Sequence, residues 1–274
     1  MRLIAYCLLV IVVFASCSPN NVKTDNSLKK YFDENKVDGC FALMDNGTGE
    51  FTVYNLSRYR DSSYLPASTF KIVNSLIGLQ TGAISGEGMV IKWDSVKRRE
   101  AWDKDLTMRE AFRVSSFPYY QEVARRIGKD SMEAKLSLMH YGAKNDTDKV
   151  ILHSAVDTFW LDNSLKITPD EELGVVKQLY FDQLPFFKTY QEVVKRTMLF
   201  EENSNYSLSY KTGWGFTENG HALGWLVGWI EENKHPYFFV LNIESPDHNY
   251  DMTSVRLAMV KDILKQLGFL EGRM

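Results

Sequence analysis

Strand-forming runs stand at the two ends of this chain and almost nowhere between. Residues 40–44 and 51–54 read as two strands, joined by the turn-forming Asp45-Asn46-Gly47-Thr48-Gly49. Residues 206–216, 222–231 and 237–243 are three further β-rich runs, separated by Glu218-Asn219-Gly220 and Asn233-Lys234. The long middle region has little strand character and shows helical patterns at 106–114, 120–127, 131–139 and 170–179. A short helix at 28–34 precedes the first strand, and another at 255–267 closes the chain. Strands that pair across such a gap predict an α/β (α+β) fold. One antiparallel sheet is built from both chain ends and flanked by helices, with a helical subdomain inserted. The α/β part is expected at about 27–65 and 204–274 and the helical part at about 66–203, with a cleft between them as the natural site. A length of 274 residues, 45% of them hydrophobic, supplies ample material for that core.

The start of the chain reads as an export signal. Met1-Arg2 is followed by an apolar run, 3–13, too short to span a bilayer comfortably. Phe14-Ala15-Ser16-Cys17 then resembles a bacterial lipobox, with Cys17 as the residue to be lipidated and ordinary cleavage beside Ala15-Ser16 as the competitor. The expected product is an exported protein, periplasmic or held at the membrane as a lipoprotein, with 1–17 as signal segment and 18–26 as tether. Cys7 leaves with the signal, so Cys40 alone remains inside the fold, as a buried and inert thiol with no disulfide to form.

Several function classes fall away. The net charge is -3 and no block of five like charges occurs, which gives nucleic acid no obvious footing. The five histidines show no metal-ligand spacing, and neither a P-loop nor a G-x-G-x-x-G is present, so no metal and no bound cofactor is expected. The aromatic residues Tyr180, Phe181, Phe186, Phe187 and Tyr190 read as core or cleft wall.

Chemistry concentrates at Pro66-Ala67-Ser68-Thr69-Phe70-Lys71. Proline biases the residue before it away from helix, so Ser68 is expected where a helix begins. Ile72, Val73, Leu76, Ile77 and Leu79 then run around much of the circumference, which predicts a buried helix ending at Gly82. On it Ser68 and Lys71 share a face. A helix start offers Ser68 a partly positive end and free N–H groups, while an apolar pocket disfavours the ammonium of Lys71 and makes it a base. Taken alone, the pair fits a capping serine and a snorkelling lysine better than a catalytic one, and other motifs must decide. Lys211-Thr212-Gly213-Trp214-Gly215, inside a predicted strand, adds a cation, a hydroxyl and a glycine that permits close backbone approach. S-x-x-K and K-T-G together are the pattern of serine β-lactamases and penicillin-binding proteins.

From about Val37 onward the chain resembles the class D (oxacillinase-type) serine β-lactamases. The residues that carry the resemblance are Ser68-Thr69-Phe70-Lys71 with its flanks, Ser115-Ser116-Phe117, Tyr141-Gly142-Ala143, Phe159-Trp160-Leu161, Lys211-Thr212-Gly213 and Arg256. Phe117 stands where the family has valine and Ala143 where it has asparagine, which bears on substrate range and on the shape of the lysine pocket. The resemblance implies hydrolysis of β-lactams through an acyl-enzyme on Ser68. Lys71 would be N-carboxylated by CO2 and act as general base, with Phe117 and Trp160 shaping its pocket and the Trp160 indole donating to the carbamate. The N–H groups of Ser68 and Trp214 would form an oxyanion hole, worth about 3 kcal/mol per donor. Ser115 would relay a proton to the leaving nitrogen, aided by Lys211. Arg256, with Thr212, Gly213 and Trp214 alongside, would bind the substrate carboxylate. The rival expectations are a penicillin-binding protein or penicillin sensor that stays acylated, and a non-catalytic surface lipoprotein. Which β-lactams are preferred, and whether the protein is a monomer or a dimer, is left open by the residues.

Overall fold

The computed structural model describes residues 21–142 and 149–274. The leader and lipobox readings, Cys7 and Cys17 with them, and Ala143 lie outside the described residues. Strand β1 (Val22–Thr24) comes first, then a 3-10 turn and helix α1 (Lys29–Glu34), strands β2 (Asp38–Asp45) and β3 (Phe51–Tyr54), and helix α2 (Leu56–Asp61). A second 3-10 turn, Ala67–Phe70, runs straight into α3 (Lys71–Thr81). The middle holds a small ribbon of β4 (Val90–Ile91) and β5 (Leu106–Thr107), then α4 (Met108–Arg113), α5 (Phe117–Ile127), α6 (Lys129–Leu138), α7 (Pro169–Tyr180) and α8 (Lys188–Met198). Strands β6 (Leu199–Glu202), β7 (Ser207–Phe216), β8 (Ala222–Glu232) and β9 (His235–Ser245) lead to the closing helix α9 (Met252–Gln266).

Seven strands form one sheet in the order β1-β3-β2-β9-β8-β7-β6, assembled from both chain ends. The central joint is the antiparallel ladder between β2 and β9, from Asp38↔Glu244 to Asp45↔Tyr237. Three details refine the sequence expectation. The sheet is not wholly antiparallel, because β1 pairs parallel with β3 through Val22↔Phe51 and Thr24↔Val53. That same strand lies inside the stretch 18–26 expected to serve as a tether, so the folded part starts before residue 27. Strand β6, inside the span assigned to the helical part, joins the opposite edge of the sheet.

The sheet is covered on both faces, and period-2 alternation sorts its side chains between two cores. Cys40, Ala42 and Met44 of β2 face the helical part with Trp225 and Val227 of β8 and Val240 of β9. Phe41 and Leu43 face the other way, with Leu226 and Leu241, onto α1 and α9. Burial on both sides explains why β8 and β9 read as nearly continuous apolar runs rather than alternating ones. Asn233 and Lys234 join them with φ of 50° and 65°, the two-residue turn whose twist suits a tight hairpin. Cys40 is fully buried, and its thiol is pushed up to about 12 by that burial.

Helix α3 is the axis of the helical part. Every residue from Lys71 to Leu79 is buried, and Gly82 closes it in the left-handed conformation at φ 79°. The α-helix begins at Lys71, three residues later than expected, because Ala67 takes a positive φ of 49° and the chain first makes a 3-10 turn. Among the aromatic residues expected in core or cleft wall, Phe186 is in the core but Phe187 is 63% exposed.

Candidate active site

The 3-10 turn at Ala67–Phe70 places Ser68 against Lys71. With three residues per turn, side chains at i and i+3 eclipse, whereas an α-helix would offset them. Lys71 Nζ donates to Ser68 Oγ at 2.7 Å. The turn is held by Ala67 N–H donating to the carbonyl of Trp160 at 3.0 Å and by Thr69 N–H donating to that of Pro66 at 3.1 Å.

Lys71 is 1% exposed and makes no salt bridge among the described residues. Burial alone pulls its ammonium down to about 7. The ring of Tyr120 lies 5.5 Å from Nζ, and its hydroxyl meets Ser75, which donates to the Lys71 carbonyl. Tyr120 sits one turn after Phe117 on α5, and nothing in the sequence pattern marks it for this contact. Phe117 itself is half-buried and lines the open cavity beside Ser68. Trp160 is wholly buried, stacked on Phe70 at 5.2 Å between centroids, and its indole N–H has no acceptor among the described residues. A buried donor left unpaired costs about 1–3 kcal/mol, so the pocket is suited to an acceptor, and an anion above all.

A second lysine meets a second serine. Ser115 sits at φ 54°, in the turn between α4 and α5, and Lys211 Nζ donates to its Oγ at 3.0 Å and to the Thr212 carbonyl at 2.9 Å. The helix cap falls to Ser116, whose Oγ accepts from the Tyr119 N–H at 3.4 Å, which leaves Ser115 free for the cleft. Lys211 is 1% exposed. Burial, and then the positive charges of Lys71 and Arg256, hold its ammonium well below the usual lysine range.

Strand β7 forms one wall. The pairing of β6 with β7 stops at Ser209, and the outer edge beyond it packs on the Ser68 turn. A Cβ at Gly213 would lie 3.1 Å from the Pro66 carbonyl oxygen and from Trp225, so any side chain there would push the strand and the Ser68 turn apart by a few tenths of an ångström. Arg256 of α9 donates from its guanidinium to the carbonyls of Gly213 and Met252. Desolvation lowers it to about 10, still a cation at neutral pH.

These groups open onto one cavity of about 370 Å³, lined by Ser68, Ser115, Phe117, Leu161, Thr212, Trp214 and Arg256 among others. Arg99 and Trp102 complete its rim from the loop between β4 and β5, a stretch whose residues follow no helical or strand period. A second cavity of similar volume lies behind α5, and of the motif residues named from the sequence only Ser116 lines it. No cluster of three or more His, Cys, Asp or Glu side chains placed to hold a metal exists among the described residues. The geometry therefore offers an activated serine, a buried low-pKa amine, a second serine–lysine pair and a cationic wall. That is a site for acyl transfer to and from an anionic substrate.

Comparison with known proteins gives a consistent picture. The model of the penicillin binding protein transpeptidase domain matches residues 39–265. The OXA-5 β-lactamase of Pseudomonas aeruginosa is 36% identical over 86% of this chain and 87% of its own. A probable β-lactamase, YbxI of Bacillus subtilis, is 37% identical over 94% of this chain and 92% of its own. Among solved structures, the class D β-lactamase FUS-1 of Fusobacterium nucleatum superposes with a TM-score of 0.82 at 31% identity, covering 90% of this chain and 99% of that one. The C-terminal domain of the Bacillus licheniformis BlaR penicillin receptor also superposes at 0.82, with 27% identity.

Proposed function

Because the chain belongs to the penicillin-binding transpeptidase-domain family, and within it to the class D serine β-lactamases, we propose that Ser68 carries the acyl group and that an N-carboxylated Lys71 is its general base. The observation that supports this most is the Ser68–Lys71 contact at 2.7 Å, made by an amine that burial holds near neutrality. Ser68 Oγ attacks the lactam carbonyl carbon, forming an ester as the ring C–N bond breaks. The proton lost by Ser68 moves towards Lys71. Ser115 gives a proton to the leaving nitrogen and regains the one that Lys71 took from Ser68, while Lys211 holds the Ser115 oxygen across its 3.0 Å hydrogen bond. Water then cleaves the ester and returns Ser68. Backbone N–H groups of Ser68 and Trp214 stabilise the oxyanion in both steps.

Carboxylation of the neutral Lys71 amine by CO2 would supply an anionic oxygen able to take a proton from the attacking water. The pocket fits it: among the described residues Lys71 makes no salt bridge, and the buried Trp160 indole N–H has no acceptor. Arg256 is positioned for the ring carboxylate, with Thr212 and Gly213 beside it. Export, with Cys17 as a lipid attachment point, is supported by the basic and apolar start of the chain.

One experiment separates these readings. Degassed protein is assayed with a chromogenic cephalosporin, with and without added bicarbonate, and its adducts are followed by intact-mass spectrometry beside Ser68→Ala. Turnover that rises severalfold with bicarbonate, and an adduct lost in Ser68→Ala, is the expected result. Turnover indifferent to bicarbonate would leave Lys71 acting as a free amine, and an adduct without turnover would make the protein a penicillin sensor like BlaR.

A further inference from the structure

The cavity at Ser68 is bordered by three guanidinium groups, Arg99, Arg113 and Arg256, and among the described residues by no aspartate or glutamate. Two of the three are committed. Arg113 donates to the Leu199 carbonyl and lies over the ring of Phe200, 4.6 Å from its centroid, while Arg256 donates to Met252 and Gly213. Arg99 differs. Its guanidinium carbon lies 4.8 Å from the ring centroid of Trp102 and 5.6 Å from that of Trp214, and it makes no salt bridge among the described residues. Of the acids in the loop, Asp94 pairs with Arg98 at 2.7 Å and Asp103 accepts from the backbone N–H of Arg98 at 2.9 Å. Asp251, on the adjoining groove, caps α9 by accepting from the Thr253 and Ser254 N–H groups.

A guanidinium fixed by its faces keeps its edge donors available, and that fork suits a carboxylate or sulfonate. Its supports are themselves anchored. Trp102 donates from its indole to the Val114 carbonyl at 2.9 Å, beside Ser115, and Trp214 belongs to the paired strand β7. Arg99 therefore joins the β4–β5 loop to the far wall, at the rim of the chamber where a β-lactam must lie. Resting on the hydrolase reading above, we infer that Arg99 forms a second anion subsite. The chain is then selective for β-lactams that carry a carboxylate or sulfonate in addition to the one on the ring.

Matched substrates test this. One pair is benzylpenicillin and its side-chain α-carboxylated analogue; the other is a cephalosporin with and without a carboxylate on its 3-substituent. Acylation rates from rapid quench and mass spectrometry are measured beside turnover for wild type, Arg99→Gln and Arg99→Lys. The dianion-to-monoanion ratio of acylation efficiency should fall about fivefold in Arg99→Gln for at least one pair, as expected for a partly exposed ion pair. It should be largely retained in Arg99→Lys and shrink in wild type at high salt. The same ratio in wild type and Arg99→Gln for both pairs would overturn the subsite and leave Arg99 as a clasp between the tryptophans. Adducts without turnover would instead count against the hydrolase reading while the ratio still reports on Arg99. Neither adducts nor turnover would overturn both.

Discussion

Glu172, 1% exposed, lies against Thr69, the neighbour of Ser68. Its carboxyl accepts from Thr69 at 2.5 Å and from Tyr141 at 3.0 Å, yet burial outweighs those bonds and raises it to about 7. Thr69 has one proton and two acceptors, Glu172 and the Pro66 carbonyl at 2.7 Å, so the ionisation of Glu172 decides which is satisfied. An acid whose folded pKa exceeds its ordinary 4.5 binds more protons folded than unfolded between those values, so stability falls as pH rises through that window. The gap corresponds to about 3 kcal/mol, fully expressed above pH 7. Glu172→Gln should therefore gain melting temperature relative to wild type as pH is raised from 5 to 8, read by calorimetry at each pH. A difference independent of pH would show that Glu172 does not titrate in this range. At this scale the sequence disclosed the residues with chemical types and motif spacing: Ser68, Lys71, Ser115, Lys211 and Arg256 come together as spaced. It did not disclose Glu172, Tyr120 or Arg99. Each acts through a neighbour distant in sequence, and nothing in local spacing marks a buried acid apart from a solvated one.

The pairing of β7 with β8 sets the K-T-G wall, and it is tightest at Gly228, opposite Tyr210. A Cβ there would lie 2.0 Å from the Ser209 carbonyl oxygen and 2.7 Å from the Tyr210 Cα, both backbone atoms that cannot rotate away. Gly228→Ala should cost about 3 kcal/mol as the strands are forced apart, and should slow catalysis through displacement of Lys211. Chemical denaturation and steady-state assays measure both; full stability in the variant would mean that the strands can slide. Elements were legible where burial wrote a continuous signal, as in β8, β9 and α3. Helix α8 was not, because its buried stripe is Gln191, Val194, Thr197 and Met198, half of it polar. Gln191 is tolerated there because it bonds the carbonyls of Leu184 and Phe186. Strands β1, β4 and β5, of three, two and two residues, are too short for any period to register.

Across the whole molecule, β1 is the outermost strand and β7 lies at the opposite side of the sheet. Removing residues through Thr24 deletes the pairing with β3 and the bond from the Phe51 N–H to the Asn21 carbonyl at 2.7 Å. The shortened protein should melt about 5 °C lower, since 1 kcal/mol moves a domain of this size by about 2–4 °C. Its turnover per folded molecule should hold, because four strands separate β1 from β7; an unchanged melting temperature would make β1 ornamental. The β2–β9 ladder has a different consequence. It joins residues about 200 apart along the chain, among the most remote contacts a domain of this length can make, and such pairings form slowly. While the ribosome is still working, β2 and β3 have no β9 beside them, and Ser68 has neither Lys211 nor Arg256 within reach. The catalytic machinery cannot mature in instalments: until the last helix has emerged, the nascent chain carries a reactive motif that is chemically mute.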